Sequence, residues 1–580
     1  MTSEIVGNRR SFVLSEEADL KLIRHSLRAD IDEGRVGGFV PIINSAGKVV
    51  GTITDGDLRK VNFETSTTAD VMAKDIMNTD FIFCGEDLSP TDIARAITNQ
   101  LQKRKIANSF PVSYIPILKK DGTLLSLLHI SEVLPSLEEI NKQIIVIGQG
   151  FVGLTFAMAL VESGKTVWAV EKNLDTFKNI KELTPSVFEP QLNDILKKNL
   201  NEKYQITAGG IQDFLRSPLF CRRVYVIAVG TPHKGSSTDL SQISEAVDMI
   251  IPNLMYGDLV ILRSTVPVGT TRNLIGLKIK AKNGMQAGID YHLAYAPERT
   301  VEGNAIAETR KLPQLVAGWT SECTRMAMHF FSGIVGSLVA CESLESCELA
   351  KLISNAYRDV IFGFANEIAS IARVHSIDVN RLISDANTGY NRNAIPQPSP
   401  GVGGPCLTKD TYMIQSDASN SVMISARKLN EHMPKYVTEL IKSKVEIFGK
   451  DILVIGLAFK GFPATNDLRN SPAIEICKHL QDSGLRIRGI DAVASFKEIE
   501  IQGIQRYSID EKDFNPRIIS VLNNHEDNVN ILKSIVINLE KTANRCIFDP
   551  WSILNASDLD ESITLKFNLS NEYVTGVKQQ

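Results

Sequence analysis

Cys406 stands in the segment PQPSPGVGGPCLTKD, residues 396–410, whose proline and glycine content forbids regular structure up to Pro405. A helix is expected just after it, which places Cys406 near a helix N-terminus and beside Lys409. Both features lower a thiol's pKa and favour the nucleophilic thiolate. The other cysteines, at positions 84, 221, 323, 341, 347, 477 and 546, form no CxxC pair. They read as reduced, buried apolar filler, with no disulfide frame and no metal site.

A second constellation begins at Lys142. In NKQIIVIGQGFVGLTFAMALVESGKTVWAVEKN, Gly148, Gly150 and Gly153 form GxGxxG with a strand before, a helix after and an acid, Glu171, 23 residues beyond Gly148. The first glycine permits the tight turn, the second lets backbone approach a pyrophosphate, and the third lets the helix pack close to the strand. Phosphates then sit at the helix N-terminus, at Phe151 and Val152, where free N–H groups favour anions. Glu171 accepts hydrogen bonds from ribose hydroxyls and repels a 2′-phosphate, so NAD is expected over NADP; Lys172 beside it weakens that preference.

A thiolate next to NAD implies one chemistry: an alcohol oxidised to an aldehyde, captured as a thiohemiacetal, oxidised to a thioester and hydrolysed to an acid. That route needs a cation or amide to hold the developing oxyanion, and carboxylates to manage protons and water. Lys351 and Asn355, four apart in ELAKLISNAYRD, share a helix face. Glu298 and Glu302 flank a bend in APERTVEG, and Asp410 lies one helical turn after Cys406.

The elements that must position these residues follow from the hydrophobic pattern. Strand-like runs RVYVIAVGTP, DLVILRSTVPVG and YHLAYAPERTVEG each end in small or polar residues, as at the carboxyl edge of a parallel sheet. Residues 344–380 have apolar spacings of three and four, predicting a long helix that connects two lobes. A second α/β pattern starts at Asp451 with DILVIGLAFKG, a helix near SPAIEICKHLQDSG, and strands RIRGID, RIISVLNN and RCIFDP. Its loop lacks a full GxGxxG, so it reads as a nucleotide-handling domain without dinucleotide preference. The expected class is α/β: two Rossmann-like lobes joined by a helical connector, behind a further α/β module. The boundaries are 1–138, 139–335, 336–447 and 448–575, in line with about 150 residues per domain.

Residues 1–138 contain a repeat offset by 75: VPIINSAGKVVGTITDGDL from Val40 meets IPILKKDGTLLSLLHISEV from Ile115. Each copy reads as strand, glycine turn, strand and helix start. This resembles a tandem CBS-domain pair, whose members often bind adenine nucleotides between the copies. The resemblance implies a regulatory site at Thr54 and Asp57, following Gly51. Ser126, His129 and Glu132 occupy the matching places in the second copy, so at most one orthodox nucleotide site is indicated. A pair kept for packing or assembly alone is the alternative.

From residue 142 to about 575 the chain resembles the nucleotide-sugar 6-dehydrogenase family. The resemblance rests on GQGFVG, VFEPQL, VGTP, STVPVGTT, APERTVEG, ELAKLISNAY, GVGGPCLTKD, GLAFKG and DLRNSPA in that order. It implies Cys406 as nucleophile, Lys351 and Asn355 as the pair steadying the oxyanion, and Asp410 as the acid organising proton transfer or a water. It implies Glu302 for thioester hydrolysis, Thr265 for holding water near the nicotinamide, and Thr231 and Arg469 near the cofactor. Glu298, Arg299 and Lys460 fall at substrate-contacting positions. The general base stays open between Asp410 acting through water and Lys351. APER and the PSPGVGGPC form resemble the UDP-N-acetylmannosamine and UDP-N-acetylglucosamine dehydrogenases, with UDP-glucose and GDP-mannose as alternatives. Thr408 stands where many relatives have Pro. The resemblance also implies a homodimer through the middle helices, with Arg392 reaching the partner's site.

Composition bounds the rest. Lys plus Arg number 63 against 67 Asp plus Glu, a net charge of −4, with 43% hydrophobic and 22% charged residues. Without a basic excess, nucleic acid is not an expected partner. Without an apolar run of about 18 to 20 residues, neither is a membrane, and a cytoplasmic location is expected. A non-catalytic nucleotide sensor and a single-step hydroxyacid dehydrogenase compete with the two-step oxidation; Cys406, Lys351, Asn355 and Glu302 together argue against the first.

Overall fold

Two copies of one small motif form the N-terminal part. The computed structural model describes residues 13–27, 38–54, 57–58, 71–86, 114–129, 143–214, 223–234, 237–414, 421–508, 513–538, 544–554 and 563–574. Strands β1 (Leu14–Ser15), β2 (Phe39–Ile43) and β3 (Val49–Thr54) make one sheet; β4 (Cys84–Gly85), β5 (Tyr114–Leu118) and β6 (Leu124–His129) make another. Each has a short parallel pair followed by an antiparallel hairpin, and the register slips at Ile42/Ile43 in one and Ile117/Leu118 in the other. The slip recurs at the sequence repeat, so the two halves are one architecture used twice. They pack together: Val49 N donates to Gly122 O at 3.0 Å, and the Phe39 and Tyr114 rings lie 6.1 Å apart. Glu132 and Cys221 lie outside the described residues.

The next lobe is built on β7 (Gln143–Ile147), β8 (Val167–Val170), β9 (Tyr204–Thr207) and β10 (Arg223–Ile227). A small hairpin, β11 (His233–Lys234) and β12 (Ser237–Thr238), precedes β13 (Leu259–Leu262), β14 (His292–Tyr295), β15 (Pro313–Gly318) and β16 (Ser337–Ala340). The sheet order is β16-β15-β14-β13-β10-β7-β8-β9, parallel except at β14/β15. Strands β10 and β13 are buried throughout, as the apolar runs Val224–Ile227 and Leu259–Leu262 require when helices cover both faces, and Arg223 at the start of β10 is buried with Gln143 and the Asn253 carbonyl as partners. The strand order reverses between β7 and β10, and a doubly wound sheet opens a ligand crevice at that point.

The second such lobe comprises β17 (Asp451–Ile455), β18 (Arg486–Ile490), β19 (Gln505–Arg506), β20 (Ile518–Val521), β21 (Arg545–Phe548), β22 (Ile563–Phe567) and β23 (Glu572–Val574). Its order β19-β18-β17-β20-β21-β22-β23 repeats the same reversal between β17 and β20, and only β22/β23 is antiparallel.

Helices join the lobes. Helix α1 (Phe151–Glu162) follows the glycine turn. The connector contains α2 (Leu344–Val374), α3 (Val379–Asn387), α4 (Leu407–Met413) and α5 (Val422–Lys442). The long helix expected over 344–380 stops at Val374: Ser376 turns left-handed at φ 54°, and Asp378 caps a new helix by accepting from the Asn380 and Arg381 N–H groups. Among the described residues, no helix is long and apolar enough to cross a membrane.

Candidate active site

The cofactor crevice is shaped by the glycines themselves. Gly148 has φ 89°, a left-handed conformation that a side chain disfavours. A Cβ on Gly153 would stand 1.8 Å from the Gly148 carbonyl oxygen, whereas one on Gly150 would meet nothing within 4 Å. The turn is therefore closed where helix meets strand and open where a ligand would approach. The adjoining cavity of about 390 Å³ is lined by Gly148, Gly150, Glu171, Thr176, Gly230 and Gln242. Glu171 accepts from Gln149 N at 2.7 Å and Asn173 N at 2.8 Å, which orients its carboxylate at the cavity wall. Lys172 pairs with Glu245 at 2.9 Å, so the cation beside Glu171 is offset by an anion. Phe151 and Val152 open α1, whose free N–H groups favour a phosphate. These residues fit NAD.

Cys406 is the residue immediately before α4, and of the described cysteines it alone is exposed. Its carbonyl accepts from Asp410 N at 3.0 Å. The Asp410 carboxylate is buried; its Oδ2 accepts from Asn355 Nδ2 at 2.6 Å and lies 3.9 Å from Lys351 Nζ. Oδ1 of Asp410 has no protein partner. Helix α2 thus turns Lys351 and Asn355 toward α4 on one face, as their spacing predicts. Arg358, one turn further, donates to Asn355 Oδ1 at 2.6 Å and extends the cluster; its i+3 position relative to Asn355 was the available signal.

The expected depression of the thiol pKa is overturned. Surrounding protein atoms desolvate Cys406 and push it up, and Asp410 adds to this, against the smaller pull of Lys351, Lys409 and Arg358. Desolvation by neighbouring atoms and the adjacent carboxylate thus outweigh the helix start.

Two acids of APERTVEG separate. Glu302 is pushed up to about 7 by burial, then by Asp467, against Arg469, Thr465 and Lys460. Lys460 donates to the Glu302 carbonyl at 2.5 Å and is itself held down at about 8, chiefly by burial. Arg469 forks onto Asp467 at 2.5 and 2.9 Å, and the charge of Cys406 reaches it. Glu302 therefore joins a polar cluster at the junction of the lobes.

Glu298 does not join it. It is buried against Arg263, with Oε2 accepting from Nη2 at 2.5 Å and Oε1 accepting from the Arg299 and Thr300 N–H groups. Burial pushes this carboxyl up, but Arg263 and the Thr300 hydrogen bonds hold it below its ordinary range. Arg299 donates to Pro313 O at 2.5 Å. Both residues, expected to contact substrate, are engaged here by protein partners, Glu298 by Arg263 just past the end of the neighbouring strand β13 and Arg299 by the Pro313 carbonyl.

Thr231 and Thr265 lie together: Thr231 Oγ1 donates to Thr265 O at 2.8 Å. Buried Glu348 of α2 accepts from Gly269 N, Thr271 N and Thr271 Oγ1, locking the loop that carries Thr265. A cleft of about 730 Å³ between the lobes is lined by Thr231, His233, Pro405, Lys409, Arg427 and Arg469. It adjoins the cofactor cavity, since Gly230 and Gln242 line both. Arg392 is exposed and stands over the Tyr390 ring at 6.0 Å. Thr54 and Asp57 close on each other, Thr54 Oγ1 donating to Asp57 Oδ2 at 2.7 Å.

Comparison with known proteins matches this architecture. The UDP-glucose/GDP-mannose dehydrogenase family is matched by its NAD binding domain at residues 142–333, its central domain at 345–432 and its UDP binding domain at 453–559. A CBS domain matches residues 73–139. The chain is 31% identical over 356 residues to the UDP-N-acetyl-D-mannosamine dehydrogenase of Pyrococcus horikoshii, covering 60% of this chain and 83% of that one. It is 31% identical over 422 residues to the enzyme of the same name from Methanocaldococcus jannaschii, covering 72% and 93%. The solved structure of the Pyrococcus horikoshii enzyme superposes with a TM-score of 0.62 at 28% identity, over 71% of this chain and 96% of that one. The chain therefore belongs to the UDP-glucose/GDP-mannose dehydrogenase family, as an NAD-dependent nucleotide-sugar dehydrogenase that also carries a CBS domain.

Proposed function

We propose that this enzyme oxidises the primary hydroxyl of a UDP-N-acetylhexosamine, UDP-N-acetylmannosamine or UDP-N-acetylglucosamine, to the uronic acid, through covalent intermediates on Cys406. The observation that carries the covalent route is Cys406, exposed at the start of α4, one turn before an Asp410 that is buried with Asn355 at 2.6 Å and Lys351 at 3.9 Å, while its neighbours Pro405 and Thr408 line the cleft that adjoins the cofactor cavity. The N-acetyl sugar rests on the two relatives named UDP-N-acetyl-D-mannosamine dehydrogenase.

Two molecules of NAD, bound in turn, would supply the hydride acceptors, one for each oxidation. Asp410, with one carboxylate oxygen unpartnered, takes the hydroxyl proton as the alcohol becomes an aldehyde. Cys406 then attacks the aldehyde carbon, and the Lys351 ammonium and Asn355 amide hold the oxyanion of the thiohemiacetal. Its oxidation gives a thioester. Glu302, whose pKa near 7 makes it an acceptor at neutral pH, takes a proton from the water that releases the acid and regenerates the thiol.

We further assign residues 1–138 to regulation by an adenine nucleotide at Thr54 and Asp57, and the assembly to a cytoplasmic homodimer in which Arg392 contributes to the partner's site. Turnover of a panel of sugar nucleotides, read as NADH formed per sugar, tests the central reading. Two NADH per N-acetyl sugar is expected. No activity above background with any N-acetyl sugar, but turnover of UDP-glucose or GDP-mannose, would move the substrate; one NADH per sugar would reject the thioester route.

A further inference from the structure

The stretch from Ser399 to Cys406 contains no helix or strand, so its backbone cannot hold itself in place. A buried polar ladder between α2 and α5 does so. Ser399 N donates to Asn366 Oδ1 at 2.9 Å, and Asn366 Nδ2 donates to Asn430 Oδ1 at 2.9 Å. Asn430 Nδ2 in turn donates to the carbonyl and to Oδ1 of Asp359, both at 2.8 Å. Arg427 Nη1 reaches the same Oδ1 at 2.9 Å, and Thr411 Oγ1 of α4 reaches Oδ2 at 3.3 Å.

From this pair the guanidinium turns onto the loop. Arg427 Nη2 donates to Val402 O at 3.0 Å and Nη1 to Leu407 O at 3.4 Å, so the carbonyls on either side of Cys406 hang on one side chain. Asp359, Asn366, Arg427 and Asn430 are all at most 1% exposed. The helices approach closely between them: a Cβ on Gly363 would stand 2.9 Å from that of Ala426. Burying an ion pair is expensive in desolvation, and apolar residues of similar volume usually stabilise as well or better. Its use is therefore sought in the geometry it enforces, and every branch of this network ends on the loop or helix that carries Cys406, or on the helices that hold it.

We propose that Asp359, Asn366, Arg427 and Asn430 are positioning residues that set the Cys406 sulfur against Lys351, Asn355 and Asp410 by clamping the backbone at Ser399, Val402 and Leu407. This rests on Cys406 being the nucleophile.

The test uses the full chain with Arg427→Met and Arg427→Lys, each checked for folding by circular dichroism. Two quantities are read: steady-state kcat and KM with sugar nucleotide and NAD, and the rate of Cys406 alkylation by iodoacetamide against pH, followed by mass spectrometry. A displacement of about 1 Å at the reacting atom lowers turnover about 100-fold, so Arg427→Met is expected to lose about that in kcat with KM for NAD within about threefold. Moved away from the atoms and the Asp410 carboxylate that raise it, the thiol is expected to alkylate about tenfold faster at pH 7.5, its profile shifted down by about one unit. Arg427→Lys, which keeps the charge and a donor, should recover at least about a tenth of parental kcat, since only part of the displacement returns. Parental kcat in a folded Arg427→Met overturns the proposal, as does lost kcat with an unchanged alkylation profile. If Arg427→Met does not fold, Arg427→Lys decides: intermediate kcat with faster alkylation supports the clamp, and parental values for both overturn it. Failure of the nucleophile reading appears separately, as Cys406→Ser still forming acid, while the alkylation comparison continues to report the sulfur's position.

Discussion

The Lys409 ammonium donates to the Thr231 carbonyl at 2.9 Å and to its hydroxyl at 3.0 Å, tying the helix that starts after Cys406 to the loop that leaves β10. His233, two residues on, stacks on Tyr412 of the same helix with ring centroids 5.9 Å apart. The cofactor lobe and the helix that follows the thiol are thus in direct contact. Lys409→Met should lower kcat about 10- to 100-fold and raise KM for NAD, because the thiol helix loses its register against the cofactor loop. It also removes a cation that favours the thiolate, so alkylation of Cys406 should slow, the opposite of the Arg427→Met outcome. Steady-state kinetics and alkylation rates check both; unchanged KM for NAD would count against the coupling.

Asp410 is the second-largest influence raising the Cys406 thiol, after burial. Replacing it with Asn removes a negative charge near the sulfur, so the alkylation midpoint should move to lower pH while oxidation slows through loss of the proton acceptor. Reactivity and turnover should therefore move in opposite directions in Asp410→Asn. Cys406→Ser should form no acid product; acid made at the parental rate would reject the nucleophile.

Glu302 titrates near 7, above its ordinary value of 4.5, chiefly through burial. As a base it must be ionised, so the hydrolytic step should accelerate as pH rises through about 7, and Glu302→Gln should lose that dependence together with acid formation. Stability has the opposite sign. Between 4.5 and 7 the unfolded chain releases this proton while the folded chain retains it, so stability falls with pH across that window and stays reduced above it. Glu302→Gln, with no proton to lose, should melt higher than the parent at pH 8 and alike at pH 4.

The contrast between Glu302 and Glu298 marks what a sequence can carry. GxGxxG placed the turn before α1, the four-residue spacing put Lys351 and Asn355 on one face, and the proline-glycine run located Cys406 at a helix start, since each is local geometry. The burial of Glu298 against Arg263 was not legible, because Arg263 lies 35 residues away, just past the end of a neighbouring strand. The sign of the thiol shift failed because desolvation depends on what surrounds the sulfur in space. Arg427 carried no local signal: it is 68 residues from Asp359 and sits on α5, a helix that runs through Pro434, a residue that ordinarily breaks one.

In the N-terminal module, Asp57 accepts from both the amide and the hydroxyl of Thr54, at 3.0 and 2.7 Å. If this pair holds the ribose or phosphate of an adenine nucleotide, Asp57→Ala should abolish the effect of AMP or ATP on rate and spare the nucleotide-free rate. Initial rates with and without each nucleotide check this, and no effect on the parent enzyme would favour a packing role for the repeat.

Helix α2 leaves one face uncovered. Leu349, Ile353, Tyr357, Phe364, Ile371 and Val374 are between 38% and 81% exposed. At about 100° per residue, their spacings of four, four, seven, seven and three keep them within an arc of about 100°. A contiguous exposed apolar stripe is a common feature of protein interfaces. Pairing α2 with its two-fold mate would cover it while leaving the opposite face to hold Lys351 and Asn355. Tyr357→Glu with Phe364→Glu should therefore shift the enzyme from dimer to monomer in sedimentation velocity, and a parental profile would remove this face from the interface. The role of Arg392 has its own check. Arg392→Ala and Cys406→Ser chains, each inactive alone, should regain about a quarter of parental activity when refolded together in equal amounts, because half the dimers are mixed and each mixed dimer has one complete site. No recovery from the mixture would return Arg392 to its own subunit.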